Sequence, residues 1–455
     1  MTDVFPTLFE RIFGKILALW RTDESRSGWL TLCFFIALVS ICASIALIGA
    51  VPTFIAGHDN FFLLENGWRA LQGLRPHLDF WSPWGPLTFL LVALGLKLSH
   101  SSPNGLAYGS AIFSLVVGLW TYLLGRFRLA PVPRALLSLY AVVLACSPHA
   151  IGSSPTSLSP AMIYNRYGYA LLLPLLVESF QRREPVVRSA ELSGGFSTGI
   201  ALALTLFLKA SYFLVGLGLL VTSFIFWYPS IRRFLGASAG FATITLLGLG
   251  YLRFDPAAML HGLRLGAAAR AQSLSLLTPM HSIASELVPL LCALALAVSA
   301  SFLKPRFPEL LGELHLPLTA VIISIADVAL LSTNQQSSGL PLLGALAILI
   351  ANRLTHPQNA SSNKHDFALP YSTTVLMLAG LLFCPEFSLD ALALPIAALY
   401  KIRPPAACDA RFAESRVSDL ILCNLSGLNP LQRGSNGSAY TAYVNDGVAL
   451  LRRHC

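Results

Sequence analysis

The chain has 455 residues, of which 55% are hydrophobic and only 12% are charged. Such a composition is too apolar for a soluble enzyme of this length and predicts a protein that crosses a membrane many times. The formal net charge of +9 does not indicate nucleic-acid binding, because basic residues in membrane proteins commonly flank spans on the cytoplasmic side. We therefore expect the lipid bilayer as a partner and no nucleic acid.

The chain divides into three parts. Residues 1–28 mix basic and apolar side chains and predict a cytoplasmic amphipathic segment. Residues 29–384 carry recurrent apolar runs, which we expect to be helical because backbone polar groups in lipid need partners within their own segment. Residues 385–455 form a polar tail, which we expect to be extracytoplasmic.

The predicted fold is an all-α bundle of about eleven transmembrane helices. The predicted spans are 29–50, 106–124, 135–146, 161–180, 196–208, 212–227, 234–251, 287–303, 316–331, 340–350 and 372–383.

Charge bias orients this bundle. The apolar run 86–98 is shorter than the roughly 17 to 25 residues that cross a bilayer, and we interpret it as a re-entrant or interfacial helix. The later basic linkers then lie together on the cytoplasmic side. The N-terminus is expected in the cytoplasm and the C-terminus outside it, as in a multi-pass protein of a bacterial inner membrane with a periplasmic tail. The linkers are 126–134, 182–188, 232–233 and 304–306.

A polar and aromatic stretch, residues 57–86, follows the first span and interrupts the apolar sequence. It lies within the first external loop (51–104). Apolar residues recur there at helical spacing, which predicts an amphipathic helix in the membrane interface. Asp59 has two interpretations, as the N-cap of this helix or as a catalytic group. A carboxylate at the end of a span is costly unless it is paired or functional, and Asn60 can supply the cap, so we favour catalysis.

Two motifs follow Asp59, namely GLRPHLD at 73–79 and WGPL at 84–87. Together with the aspartate after the first span and the amphipathic helix, they resemble the first external loop of the GT-C superfamily of membrane glycosyltransferases, in particular its bacterial members similar to protein mannosyltransferases and aminoarabinose transferases. The resemblance implies transfer of a sugar from a polyprenyl-phosphate carrier to a hydroxyl of a lipid, glycan or protein acceptor on the extracytoplasmic face. It also implies that Asp59 is the catalytic carboxylate.

Glycosyl transfer needs a carboxylate to accept the acceptor's proton and fixed cations to stabilise the departing phosphate. Arg166, with its neighbour Asn165 near the outer end of a span, is one candidate cation. Lys209 is another, because it is isolated in an apolar run that is too long for one span and that we divide at this lysine. An internal ion pair or snorkelling to the headgroups is the alternative for both. Arg264 and Arg270 lie in a later external loop, where contact with lipid headgroups is the alternative.

Amides in the external tract 333–339 are candidates for sugar contacts. Asn334 and Gln335 offer donors and acceptors that suit sugar hydroxyls, although such residues also form ordinary loops. Asp327, toward the outer end of the preceding span, is either a second acidic group of the site or a buried hydrogen-bonding residue. The sequence leaves both choices open.

A divalent Mg or Mn ion is a candidate cofactor, since hard cations favour oxygen ligands such as those of Asp59 and Asp79. The GT-C superfamily often has a second acidic residue directly beside the first, whereas His58 and Asn60 flank Asp59 in this chain. Asp79 has a second interpretation, in which it pins its own loop against Arg75 or a backbone amide.

Two other functions are consistent with the sequence. A transporter or flippase for a lipid-linked glycan also needs cationic sites near the membrane, but it is expected to show internal repeats, and no clear repeat is visible. A non-catalytic membrane assembly subunit would use Asp59 only as a helix cap.

The tail contains three cysteines. If it is extracytoplasmic, a disulfide between Cys408 and Cys423 is possible, which leaves Cys455 without a partner in this pairing.

Overall fold

The computed structural model describes residues 27–54, 56–126, 128–180, 188–226, 230–271, 277–303, 315–334, 336, 338–355, 368–403, 410–411 and 421–422. Its helices are α1 (Ser27–Ile48), α2 (Gly57–Leu71), α3 (Leu87–Leu98), α4 (Gly105–Gly125), α5 (Pro131–Cys146), α6 (Ile163–Phe180), α7 (Arg188–Leu208), α8 (Ala210–Phe226), α9 (Ile231–Tyr251), α10 (Pro256–Ala271), α11 (Leu277–Ser285), α12 (Leu287–Leu303), α13 (His315–Thr333), α14 (Pro341–Thr355) and α15 (Ala368–Ile402). In the tail, the two-residue strands β1 (Ala410–Arg411) and β2 (Ile421–Leu422) pair antiparallel. The predicted all-α class is therefore confirmed. Residues 1–26 of the predicted N-terminal amphipathic segment and the cysteines 408, 423 and 455 lie outside the described residues.

The predicted count of about eleven spans is not supported. Among the described helices, only α1, α4, α7 and α9 are long and apolar enough to cross a bilayer, and the pair α11 and α12, bent by 71°, makes a fifth if it is one span. Several predicted spans coincide with shorter helices. For example, α5 has 16 residues and is about 24 Å long at 1.5 Å per residue, less than the roughly 30 Å of hydrocarbon. Four or five candidate spans are compatible with a membrane protein.

Helix α6 is the centre of the bundle, because every one of its residues from Ile163 to Phe180 is buried. It packs against α4, α5, α7, α8 and α14. A helix surrounded on all sides by other helices can carry polar groups only where those groups find internal partners. Arg166 and Glu178, both on α6, meet this condition through Asp390 and Arg128 respectively.

Helices α7 and α9 pack more closely than any other pair of described helices, because glycines line their contact. Gly195 and Gly199 of α7 lie against the backbone of α9, and Gly236 and Gly240 of α9 lie against the backbone of α7. A Cβ atom at any of these four positions would overlap a backbone atom of the partner helix. Paired small residues four apart allow this close approach in helical membrane proteins.

The two helices predicted in the first external loop are present, whereas their location at the membrane interface stays a prediction. The amphipathic stretch folds as α2 and the run after Gly85 and Pro86 folds as α3, whose 12 residues are too few to span. The predicted division at Lys209 is also confirmed, since α7 ends at Leu208 and α8 begins at Ala210. At the other end of the chain, α15 continues as one helix to Ile402, past the predicted domain boundary at position 384.

Candidate functional site

Lys209 occupies the one-residue break between α7 and α8. Its ammonium group donates hydrogen bonds to Asn165 Oδ1 at 3.0 Å and to Asn334 Oδ1 at 2.6 Å, and it lies 4.9 Å from the centroid of the Tyr164 ring. Two amide oxygens and an aromatic face hold the ammonium group in a fixed position. The structure thus brings together three predicted site residues, Asn165, Lys209 and Asn334, which we call the Lys209 cluster.

The side-chain N–H groups of the two asparagines in this cluster differ in whether they have a hydrogen-bond acceptor. Asn334 donates from Nδ2 to the hydroxyl of Tyr212 at 2.9 Å. Asn165 Nδ2 is buried and has no hydrogen-bond partner among the described residues. Leaving a buried donor unsatisfied costs roughly 1–3 kcal/mol. An acceptor supplied by a ligand would recover that free energy beside the Lys209 ammonium.

Aromatic side chains connect the Lys209 cluster to the helix that carries Asp59. The ring centroids of Tyr164 and Trp84 are 4.1 Å apart, and those of Trp84 and Phe62 are 5.4 Å apart. Phe62 follows Asp59 by three residues on α2, so the two side chains share a face of that helix. The aromatic contacts thus run from Tyr164, which lies beside Lys209, to the face of α2 that carries Asp59.

The loop between α2 and α3 is docked on the break at Lys209. Gly85 donates its backbone N–H to the carbonyl oxygen of Leu208 at 3.0 Å. A Cβ atom at position 85 would overlap the backbone of Phe207, so only glycine permits this approach. The WGPL motif therefore touches the backbone immediately before Lys209.

Asp59 lies in the first turn of α2 and is half-buried. The helix begins at Gly57, and its N-cap is Ala56, which has a left-handed backbone and offers no capping side chain. Neither Asp59 nor Asn60 is therefore the N-cap residue, and Asn60 Nδ2 donates to Thr53 Oγ1 at 2.6 Å. A carboxylate in the first turn is favoured by the helix dipole. The catalytic role of Asp59 stays a prediction.

Asp79 is held within its own loop. Its Oδ2 atom accepts a hydrogen bond of 2.7 Å from the backbone N–H of Arg75, and Asp79 is exposed. The guanidinium group of Arg75 lies 5.7 Å from the centroid of the Tyr251 ring. This geometry agrees with the loop-pinning interpretation of Asp79, and its role as a substrate ligand stays a prediction.

Arg166 is separate from the Lys209 cluster although it follows Asn165 directly. Its guanidinium group donates to Asp390 Oδ1 at 2.8 Å and to the carbonyl oxygens of Leu144 at 3.0 Å and His149 at 2.6 Å. The side chain of Arg166 is only 2% exposed. The internal ion pair that the sequence left open is therefore present, and it engages the donors that would otherwise bind a phosphate.

His149 completes the surroundings of Arg166 as a neutral ring. Ser147 donates its hydroxyl to the carbonyl oxygen of Asp390 at 3.0 Å, and its Oγ lies 2.9 Å from His149 Nδ1. Nη2 of Arg166 lies 3.3 Å from His149 Nδ1 and 3.4 Å from its Nε2. Burial, and secondarily the charge of Arg166, lower the pKa of His149 from 6.5 to about 2.

The remaining predicted residues lie away from these contacts or outside the described parts. Arg264 is exposed on α10. The side chain of Arg270 and the whole of Gln335 lie outside the described residues. Helix α10 approaches the first external loop through Gly262, against His77, and through Gly266, against Pro83. The two arginines therefore belong to a helix that covers the loop, but no described contact joins Arg264 to the Lys209 cluster.

Three carboxylates that the sequence did not assign to one place converge on the N-terminal end of α14. Glu286 accepts from the N–H of Gly339 at 2.6 Å, and Glu386 accepts from the N–H of Leu340 at 3.0 Å. Asp327 accepts from the N–H of Leu343 at 3.1 Å. They accept from backbone N–H groups around a helix start, where the helix dipole also favours negative charge. The sequence indicated this cluster only through acidic residues isolated among apolar ones. Of the two interpretations of Asp327, the structure agrees with a buried hydrogen-bonding residue.

The described residues do not offer a fitting set of metal ligands. No group of three or more His, Cys, Asp or Glu side chains placed to hold a metal ion occurs among them. Of the two carboxylates proposed as ligands, Asp79 already accepts a hydrogen bond from its own loop. We therefore derive no chemical step through Mg or Mn.

Comparison with known proteins adds no assignment. The chain matches no protein-family model, and no curated protein or solved structure is significantly similar to it. The site must be interpreted from its own geometry.

Proposed function

We propose that this protein is a membrane glycosyltransferase that moves a sugar from a polyprenyl-phosphate carrier to an acceptor hydroxyl on the extracytoplasmic face of a bacterial inner membrane. In this proposal the N-terminus is cytoplasmic, the C-terminus is periplasmic, and α2 lies in the outer interface of the bilayer. Asp59 is the general base. Lys209 and Asn165 bind the phosphate of the carrier, and Asn334 orients Lys209.

The observation that carries the proposal is the state of the Lys209 cluster. A fixed ammonium group and an unsatisfied buried N–H donor of Asn165 lie in one place, as a phosphate ligand requires. The WGPL motif of the first external loop touches the same place through Gly85. The loop that resembles a GT-C loop is thus docked on the group best suited to an anionic leaving group.

The proposed reaction is a single displacement with inversion. The acceptor hydroxyl gives its proton to the Asp59 carboxylate while its oxygen lone pair forms a bond to the anomeric carbon. The bond from that carbon to the phosphate oxygen breaks, and its electron pair leaves with the phosphate. The carrier phosphate changes from a diester monoanion to a monoester dianion. Lys209 stabilises the added charge, which is the role of a fixed cation at a departing phosphate.

The other predicted cations receive different roles in this proposal. Arg166 supports the bundle through Asp390 rather than binding phosphate, because its guanidinium group is already bonded on several sides. Asp79 shapes the loop, and Arg264 and Arg270 contact lipid headgroups or the carrier near the interface.

The test is transfer of a radiolabelled sugar from a short-chain polyprenyl-phosphate donor by the purified full chain in lipid nanodiscs. We expect Asp59→Asn to lower the rate at least about a hundredfold, the size typical of a lost general base. Asp255→Asn is the matched control, because Asp255 is exposed and caps α10 by accepting from Ala258, a role that asparagine also fills. Near wild-type activity of the Asp59→Asn variant would refute the assignment of the base.

A further inference from the structure

A buried arginine lies at the end of the bundle where α1 and α5 begin and α4 ends. Arg134, near the start of α5, is only 8% exposed, and its stem packs against Gly125 at the end of α4. Its Nη2 atom donates a hydrogen bond of 3.0 Å to the hydroxyl of Tyr122, whose oxygen lies 2.9 Å from Thr31 Oγ1 on α1. We call Arg134, Tyr122 and Thr31 the Arg134 site.

The guanidinium group of Arg134 is held in place by aromatic side chains. Its Cζ atom lies 4.4 Å from the centroid of the Tyr122 ring, close enough for a cation–π contact. The ring of Phe34 is stacked on Tyr122 with 4.0 Å between centroids, and Phe35 approaches the same ring edge-on at 5.8 Å. Arg134 is therefore positioned by residues of α1 and α4 rather than by an opposite charge.

The charge of Arg134 lacks the partners that the other buried arginines have. Arg166 pairs with Asp390, and Arg233 donates to the carbonyl oxygen of Glu178. Within the described parts of the chain, the side chain of Arg134 donates to neither a carboxylate nor a carbonyl oxygen. Its Nε atom is buried without a partner, whereas Nη1 is not buried. A buried charge without a counter-charge is costly, and an anion bound at Nη1 would offset that cost.

The surface around the Arg134 site is apolar and exposed. Trp29, Leu32 and Phe35 of α1 and Leu123 of α4 are all exposed large hydrophobic residues. Tryptophan is enriched where a helix meets the headgroup region, and an exposed apolar surface beside it is suited to contact with acyl chains. A ligand at this place would therefore have an anionic group against Arg134 and an apolar body along α1 and α4.

We propose that the Arg134 site binds the phosphate of an anionic phospholipid, whose acyl chains lie against the exposed residues of α1 and α4. A phosphate oxygen accepts from Nη1, and the contact with Tyr122 keeps the guanidinium group in position. The ligand docks on the protein surface, so the site needs no internal cavity. The length of α1 separates the site from the loop that carries Asp59, and the site does not depend on the proposed transfer reaction. Only its assignment to the cytoplasmic leaflet follows from the proposed orientation.

A lipid accounts for the surroundings of Arg134 better than a soluble anion does. Inorganic phosphate would bind the guanidinium group but would make no use of the exposed Leu32 and Leu123. A net negative headgroup is favoured over phosphatidylcholine, because choline would bring a further positive charge to a linker whose Arg126 is exposed.

Binding is measured by native mass spectrometry of the purified full chain, delipidated in a detergent without phosphate. The chain is titrated separately with phosphatidylglycerol, with diacylglycerol of the same acyl chains, and with inorganic phosphate. We expect Arg134→Met to lower the affinity for one bound phosphatidylglycerol roughly tenfold or more, the effect of one lost hydrogen bond to a charged group. Diacylglycerol, which lacks the phosphate, should bind both forms equally. Arg126→Met removes an exposed charge from the same linker and, as the matched control, should change the affinity by less than about twofold.

Three results would contradict the proposal. Equal phosphatidylglycerol binding by the wild type and by a folded Arg134→Met variant would overturn it, as would an equal loss of affinity in Arg126→Met. Inorganic phosphate that displaces the lipid at equal concentration would identify a soluble anion as the ligand instead. If Arg134→Met does not fold, Arg134→Lys decides, because lysine keeps the charge but loses the planar group that stacks on Tyr122. We expect this variant to bind phosphatidylglycerol roughly threefold more weakly or worse, and an unchanged affinity would overturn the proposal.

Discussion

The Nζ atom of Lys209 donates a hydrogen bond of 2.6 Å to Asn334 Oδ1 across 125 residues of chain. The same ammonium donates to Asn165 on the central helix α6. Two distant segments thus converge on a cation at a helix break. A cation inside a bundle is costly to keep, and those that occur there usually face other polar groups, a cavity or a ligand. Binding of an anionic substrate group to the ammonium would offset that free-energy cost.

Substitution of Lys209 tests this role. Lys209→Met keeps an apolar stem of similar length but loses the charge, and we expect the transfer rate to fall at least about a hundredfold because the departing phosphate loses its cation. The measurement is the initial rate at saturating donor. Lys97→Met, at an exposed lysine in the last turn of α3, is the matched control and should retain the wild-type rate. A Lys209→Met enzyme with an unchanged rate would exclude phosphate binding at this residue.

Arg166 and Asp390 form a buried ion pair whose role we expect to be structural. Arg166→Met leaves the carboxylate of Asp390 buried without its counter-charge, which costs about 3–5 kcal/mol in buried pairs. The double variant Arg166→Met/Asp390→Leu removes both charges and should recover much of that loss. The unfolding midpoint in detergent measures both effects. If Arg166→Met instead unfolds like the wild type but loses transfer activity, Arg166 is a phosphate ligand after all.

His149 predicts an acid-sensitive stability. Its pKa is lowered in the folded protein to about 2 from 6.5, so the unfolded chain binds a proton that the folded chain does not. Stability is therefore fully present above pH 6.5 and falls as the pH drops below that value, by at most about 1.4 kcal/mol for each pH unit.

The variant His149→Gln should lose less stability than the wild type between pH 7.5 and pH 5, because glutamine does not titrate. Thermal unfolding at both pH values measures the difference. His261→Gln removes an exposed histidine and should follow the wild-type pH dependence. Identical acid sensitivity in the wild type and in His149→Gln would show that another group controls it.

Local features of this fold were predictable from the sequence, whereas the number of spans was not. An isolated charge such as Lys209 marks a break in an apolar run, and the period of residues 61–71 marks α2. Hydropathy, however, gives the same signal for a helix buried in protein as for one in lipid. In α5 the stretch from Tyr140 to Cys146 is buried within the bundle, so its apolarity does not require a bilayer.

The site was predictable only in part for a similar reason. The polar residues near span ends, Asn165, Lys209 and Asn334, were identified singly by their unusual position in apolar sequence. The partner of Arg166 was not, because Asp390 lies 224 residues away in a segment that the sequence assigns to the tail. Asn60 was considered only as a helix cap. Its hydrogen bond to Thr53 depends on the position of the loop after α1, which no local pattern specifies.

The docking of the first external loop on Lys209 depends on the absence of a side chain at Gly85. In Gly85→Ala the new Cβ atom would overlap the backbone of Phe207, which cannot move as a flexible side chain can, so the loop must shift away from the break. We expect the hydrogen bond from Gly85 to Leu208 to be lost and the unfolding free energy to fall by about 1–3 kcal/mol, as for other overpacked sites. The transfer rate should fall by more than the loss of folded protein alone would cause, because Trp84 and α2 shift with the loop.

The control for this substitution is Gly218→Ala on α8, where a Cβ atom meets nothing within 4 Å. Alanine favours a helix interior by up to about 1 kcal/mol over glycine, so this variant should be as stable as the wild type or slightly more so. Unfolding midpoints and transfer rates of the two variants, measured side by side, separate a general effect of replacing glycine from the loss of this contact. Equal rates in Gly85→Ala and the wild type would mean that the position of the loop does not matter for catalysis, and the link between the WGPL motif and the Lys209 cluster would then have no functional meaning.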